Sequence, residues 1–170
     1  KKVDVNGKGM WIECSTAGTT GGTEPDWYNE VQPELNSGGV ASGWTANSDT
    51  TVSYVSSKLR ITLDSGINPS AYTTIATVIG EEYTATAQFA GGTNAGNNYL
   101  RIGTGVFLSD IGQDIVGASA SAEVTFTATT TTTYVTLLAG TGVIGEYCDV
   151  SSVSVRLAEF PTGTTTITDN

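Results

Sequence analysis

At 170 residues, 38% of them apolar, the chain can bury one sizeable core and predicts a single domain with extra arms. Seven basic residues against 17 acidic ones leave a net charge of -10, a surface that repels phosphate backbones and excludes nucleic acid as a partner. Histidine is absent, which removes Ser-His-Asp and Cys-His catalysis and most zinc sites, and no run approaches the roughly 18 apolar residues a membrane span requires.

Residues 1–36 read as an arm or small β-module, too short to fold alone. Asn6-Gly7 marks a tight turn between short strands, residues 10–14 read as a strand, and a Gly/Thr loop then leads to Glu24-Pro25-Asp26-Trp27. Residues 37–157 carry apolar alternation with a period of two and no helical period. Strands are predicted at 51–56, 58–64, 71–79, 82–89, 98–103, 121–128, 132–139 and 149–157. Leu59, Ile61 and Leu63 share one face while Lys58, Arg60 and Thr62 take the other; Tyr83, Ala85, Ala87 and Phe89 do the same in their strand. Residues 104–119 read as a long loop with one short strand, and the threonine run 129–133 as a hairpin corner. Residues 158–170 form a polar tail. Short strands joined by Gly-bearing turns give an all-β fold, an antiparallel jelly-roll β-sandwich.

The two cysteines, Cys14 and Cys148, lie far apart and read as separate thiols in a reducing compartment. Catalysis would then fall to carboxylates, which must face each other about 5–10 Å apart across a cleft. Glu81 and Glu82 are adjacent in sequence and so take opposite faces, and Asp110 and Asp114 read as a solvated loop, so no enzyme is expected. Exposed rings beside polar groups are what sugar recognition needs, because the CH face of a sugar stacks on a π surface. Trp27, Tyr54, Tyr72, Tyr99 and Tyr134 are the rings to consider. Tyr99 beside Asn97, Asn98 and Arg101 is the best cluster, and Tyr72 and Tyr134 sit on faces opposite Ile75 and Val135. Trp44 and Tyr83 read as core.

The string from Ser42-Gly43-Trp44 through TVSYVSSKLRIT, AYTTIATVIGEEYTATAQFAGG and TYVTLLAGTGVIGEYCDVSSVSV resembles the jelly-roll carbohydrate-binding modules attached to cellulases and xylanases. Diverged versions of these recur in bacteriophage structural proteins. MWIECSTAGTTGGTEPDW, residues 10–27, resembles a small β-module of phage fibre and minor virion proteins. The first resemblance implies a structural calcium held by Asp149, which opens the last strand, with Glu34 as the acidic partner. Together they imply a non-enzymatic virion structural protein of a tailed phage, of capsid-decoration or head-fibre type, assembled in the host cytoplasm and displayed on the particle surface. Its partners would be major capsid or tail subunits and copies of itself, as a trimer or array, with a host glycan as a further ligand. The alternatives are a tail or surface adhesin that binds host glycans, or a secreted carbohydrate-binding module.

Overall fold

The structure, a computed structural model, describes residues 43–158 and the backbone of three short strands ahead of them, β1 (Lys2–Val5), β2 (Lys8–Trp11) and β3 (Glu30–Val31). The chain divides into two units, one holding β1 and β2 and the other running from Tyr28 to Thr162. β1 and β2 pair antiparallel with Val5 opposite Lys8, the two-residue connection that Asn6-Gly7 favours. The second unit continues with β4 (Thr45–Ala46), β5 (Thr50–Val55), β6 (Lys58–Leu63), β7 (Ser70–Ala76), β8 (Glu82–Gly92) and β9 (Asn98–Gly103). It closes with β10 (Gly112–Val116), β11 (Ser121–Thr127), β12 (Thr132–Ala139) and β13 (Tyr147–Leu157).

These strands form two antiparallel sheets, one of five strands in the order β10-β9-β12-β7-β4 and one of six that runs β11-β8-β13-β6-β5, with β3 paired to β13. Alternation fixes which face each side chain takes. Leu100, Ile102, Val135, Leu137 and Ile75 of the smaller sheet meet Leu59, Ile61, Phe89, Val124, Val150 and Val155 of the larger one in a single core. Trp44 and Tyr83 belong to that core, as their positions predict. The Tyr83 hydroxyl accepts from the Val78 amide at 2.9 Å, so its one polar atom is satisfied. The sandwich is the predicted jelly roll, and its strands fall close to their expected positions.

Three details differ from expectation. The run 129–133 is no hairpin corner: it carries the chain from β11 in the larger sheet to β12 in the smaller one. Thr77 anchors this crossing, its hydroxyl donating to the Thr130 carbonyl at 2.8 Å and sharing a hydrogen bond with Thr133 Oγ1 at 2.9 Å. Alternation continues unchanged on both sides of a crossing, so the pattern alone does not say which sheet each strand joins. β7 ends at Ala76, because the chain turns at Val78 and the Glu81 amide donates back to the Val78 carbonyl at 3.1 Å. β4 is a two-residue strand, too short to show a period.

The β5–β6 hairpin turns on Ser56 and Ser57, both left-handed at φ 50° and 62°. That geometry favours Asn-Gly, and a serine there costs on the order of 1–2 kcal/mol per residue. At the other end of the sandwich, Gly96 lies so close to Gly140 that a Cβ would overlap the Gly140 carbonyl, so only glycine lets these two loops meet.

Cys148 lies fully buried on β13, opposite Ile61 on β6 and Gly92 on β8. Burial pushes its thiol up from 9.0 to about 12, with the Asp149 charge adding to the shift. The unfolded chain therefore gives up this proton at lower pH than the folded one. The stability Cys148 contributes is complete below about pH 9 and is lost as pH rises toward about 12. In a Cys14→Ser background, Cys148 is expected to resist alkylation by iodoacetamide in the folded protein at pH 8 and to react promptly in denaturant. Rapid alkylation of the folded protein would contradict this burial.

Candidate functional site

The outward face of the five-stranded sheet gathers residues that lie far apart in sequence. Pairing register sets one row straight across it: Gln113 on β10, Arg101 on β9, Thr136 on β12, Tyr72 on β7 and Thr45 on β4. The row on one side runs Ile115, Tyr99, Leu138 and Ser70, and the row on the other runs Gly103, Tyr134 and Thr74. Each shows its outward side because its strand neighbours Leu100, Ile102, Val135 and Leu137 are fully buried inward.

The rings of Tyr72 and Tyr134 approach with centroids 5.7 Å apart at 41°, and the Phe107 ring meets Tyr72 edge-on at 5.4 Å and 88°. All three rings are half-buried, so each is held by packing while part of it faces solvent. On the next strand the Arg101 guanidinium lies over the Tyr99 ring, 5.2 Å from its centroid. Thr136, between Arg101 and Tyr72, is fully buried. Its Oγ1 and the Nε of Arg101 are buried polar atoms with no hydrogen-bond partner. Hydrogen-bonding capacity is thus left unused on two neighbouring strands of this face.

The loop 104–111 forms one wall of the site. Gly103 lets it sit directly on the sheet, since a Cβ there would meet the Leu108 carbonyl oxygen at 2.6 Å and Asp110 Oδ1 at 2.8 Å. Asp110 pins the loop by accepting from the Thr104 amide at 2.9 Å and the Thr104 hydroxyl at 2.6 Å. The Thr104 hydroxyl and then its amide hold the Asp110 carboxyl below its ordinary range, so the clasp persists into mildly acid solution. Phe107 reaches Tyr72 from a left-handed backbone at φ 60°, an uncommon state for a bulky residue that local packing must hold. Asp110→Ala is expected to leave the melting temperature nearly unchanged and to release this wall. The measurable sign would be loss of the aromatic ring-current shifts on the Tyr72 protons.

The sequence candidates separate into groups. Tyr72, Tyr134, Tyr99 and Arg101 come together on this one face. Asn97 is exposed just before β9, in phase with Tyr99. Asn98 is placed otherwise: it is fully buried on the inward side, accepting from Asn94 Nδ2 at 2.9 Å and donating to the Gly117 carbonyl at 3.3 Å. Being next to Tyr99 in a strand puts it on the opposite face, where it ties loops together. Tyr54 takes the same side of β5 as the core residue Val52, opposite Leu59 on β6, and Trp27 lies outside the described residues.

Asp149 lies on the outer face of the other sheet, directly opposite Arg60. Its two carboxylate oxygens accept from Arg60 Nε at 2.8 Å and Nη2 at 2.9 Å, and the guanidinium stacks on the Tyr147 ring at 3.6 Å. The hydrogen bonds to Asp149 raise the Arg60 pKa against the opposing effect of burial. Both oxygens of Asp149 are thus engaged by a bidentate arginine. Glu34 lies outside the described residues, and among those described no cluster of three or more acidic or thiol groups is arranged to hold a metal. The carboxylates Asp110 and Asp114 are likewise engaged, Asp114 accepting from the Glu123 amide at 2.9 Å and the Ile115 amide at 2.8 Å.

Phe107, Thr136 and Gln113 complete the face and were not singled out from sequence. Gln113 and Thr136 follow from strand phase once the sheet order is known. Phe107 sits in a loop and carried no periodic signal.

No family model matches the chain, and no curated protein does. Among solved structures, the chain is similar to a domain described as CBM1 of BiXyn10A in its apo form, at 16% identity and a TM-score of 0.53, over 76% of this chain and 96% of that one. It is similar to the CBM22-1 xylan-binding domain of Xyn10C from Paenibacillus barcinonensis, at 11% identity and a TM-score of 0.51, over 72% of this chain and 90% of that one. An arabinose-bound MgGH51 α-L-arabinofuranosidase matches at 12% identity and a TM-score of 0.50, over 70% of this chain and 24% of that one. The first two are carbohydrate-binding modules, and this chain shares their jelly-roll sandwich fold.

Proposed function

We propose that the chain is a non-enzymatic glycan-binding β-sandwich whose site is the outward face of the five-stranded sheet. The observation that carries this reading is the convergence of Tyr72, Tyr134, Phe107 and Tyr99 on one face, around the unsatisfied polar atoms of Arg101 and Thr136. Rings supply stacking surfaces for sugar CH groups, and the polar atoms between them fix hydroxyl orientation. Asp149, Asp110 and Asp114 are tied to Arg60, Thr104 and backbone amides rather than paired across a cleft, which supports a binding role over hydrolysis. A glycan array probed with the purified chain tests this: selective binding that falls on Tyr99→Ala supports it, and no binding to any glycan overturns it.

The setting we propose is the surface of a tailed-phage virion, as a capsid-decoration or head-fibre protein. This rests on the resemblance of residues 10–27 to virion fibre modules. The N-terminal segment and tail would join neighbouring subunits or copies by strand addition. Immunogold labelling of intact particles, and the mass of the purified chain in solution, test location and assembly. Label absent from particles would exclude this setting while leaving the glycan-binding reading intact.

A further inference from the structure

Arg101 is out of keeping with its surroundings. The chain carries a net charge of -10, and the outward row at Arg101 is otherwise neutral: Gln113, Thr136, Tyr72 and Thr45. The flanking rows hold Ile115, Tyr99, Leu138, Ser70, Gly103, Tyr134 and Thr74, again without charge. Among the described residues Arg101 forms no ion pair, whereas Arg60 on the opposite sheet is fully engaged by Asp149. Carboxylates close in the chain are also taken: Asp110, on the loop above Gly103, is held by Thr104, and Asp114 faces away and accepts backbone amides.

A buried guanidinium donor without a partner opposes folding, so an acceptor that completes it is favoured. The Nε of Arg101 is buried and unpartnered, and so is Oγ1 of its cross-strand neighbour Thr136, itself fully buried. Two unsatisfied polar atoms therefore belong to cross-strand neighbours on a ring-lined face, one of them on a fixed positive charge. A neutral sugar offers such a guanidinium only hydroxyls. A planar carboxylate matches its fork with two charge-assisted hydrogen bonds.

The geometry points to an acidic glycan as the ligand, with a sugar carboxylate seated on Arg101 while adjoining sugar rings stack on Tyr72 and Tyr99. This inference rests on the glycan-binding reading and narrows it to one chemical class. Its neighbour across the sheet, Gln113, would contact a ring hydroxyl and leave the charge recognition to Arg101.

The test uses the full chain and matched pairs of polysaccharides, each acidic member set against its carboxyl-reduced form, with polygalacturonate, glucuronoxylan and alginate as the acidic members. Affinity is read by calorimetry at low and high salt. For at least one pair the acidic member is expected to bind at least tenfold more tightly, the gap narrowing as salt rises. Arg101→Gln is expected to erase the gap by costing the acidic member at least tenfold more affinity than it costs the reduced member, and Arg101→Lys to keep part of it. Tyr72→Ala is expected to weaken both members alike. Equal affinity within every pair, or a gap that survives Arg101→Gln, overturns the acidic-ligand inference and leaves glycan binding standing. Failure to bind any member of any pair overturns the acidic-ligand inference, and the glycan array decides the wider glycan-binding reading. A sulfated glycan that binds with the same dependence on Arg101, while carboxylates do not, would overturn the carboxylate assignment.

Discussion

Replacing Tyr72 with alanine is expected to weaken glycan binding by about 2 kcal/mol, roughly thirtyfold, while the sandwich stays folded. Tyr72 touches two of the other three rings of the patch, Tyr134 at 5.7 Å and Phe107 at 5.4 Å, so its loss removes a stacking surface and the support of two neighbours. It is half-buried on the outward side, so truncation leaves the core untouched. The comparison variant is Thr127→Ala, exposed on β11 of the other sheet, which is expected to leave affinity within about twofold. Calorimetry of both variants against one ligand checks the difference. Equal losses would mean the rings are not the contact surface.

The second large effect is on stability. Phe89→Ala is expected to lower unfolding free energy by about 3–5 kcal/mol, a major share of the roughly 5–15 kcal/mol that holds a domain together. Phe89 is fully buried on β8, beside Val150 of β13 in the larger sheet, and packs into the core shared with the smaller sheet. Truncation leaves a void that rigid strands on both sides prevent from closing. A denaturant titration should show the midpoint falling steeply with an unchanged slope. A loss below about 1 kcal/mol would contradict the placement of Phe89 at the centre of the core.

The sandwich was legible in the sequence because burial on one side of a strand leaves a period of two that survives wherever both faces differ. Leu59, Ile61 and Leu63 showed it, and the structure buries all three fully. The same alternation put Tyr72 and Tyr134 outward. It did not say that β9, β12 and β7 would be adjacent, since the pairing of Thr136 with both Arg101 and Tyr72 joins segments far apart in the chain. Asn98 shows where the sequence cluster failed: the rule that buries Leu100 also buries Asn98, and nearness to Tyr99 in sequence meant separation in space. Asp149 lies two residues inside the last strand, which opens at Tyr147, and its partner Arg60 lies 89 residues away and is set by register alone. Phe107 left no trace in the pattern, because a left-handed aromatic in a loop follows neither strand nor turn chemistry.

The most direct test is chemical-shift mapping of the full chain titrated with the tightest-binding glycan. The expected perturbations centre on Tyr72, Tyr99, Arg101, Tyr134 and Thr136, with Phe107 moving as its loop adjusts. Perturbations centred instead on Arg60, Tyr147 and Asp149, on the outer face of the other sheet, would contradict the assignment of the five-stranded sheet as the binding surface.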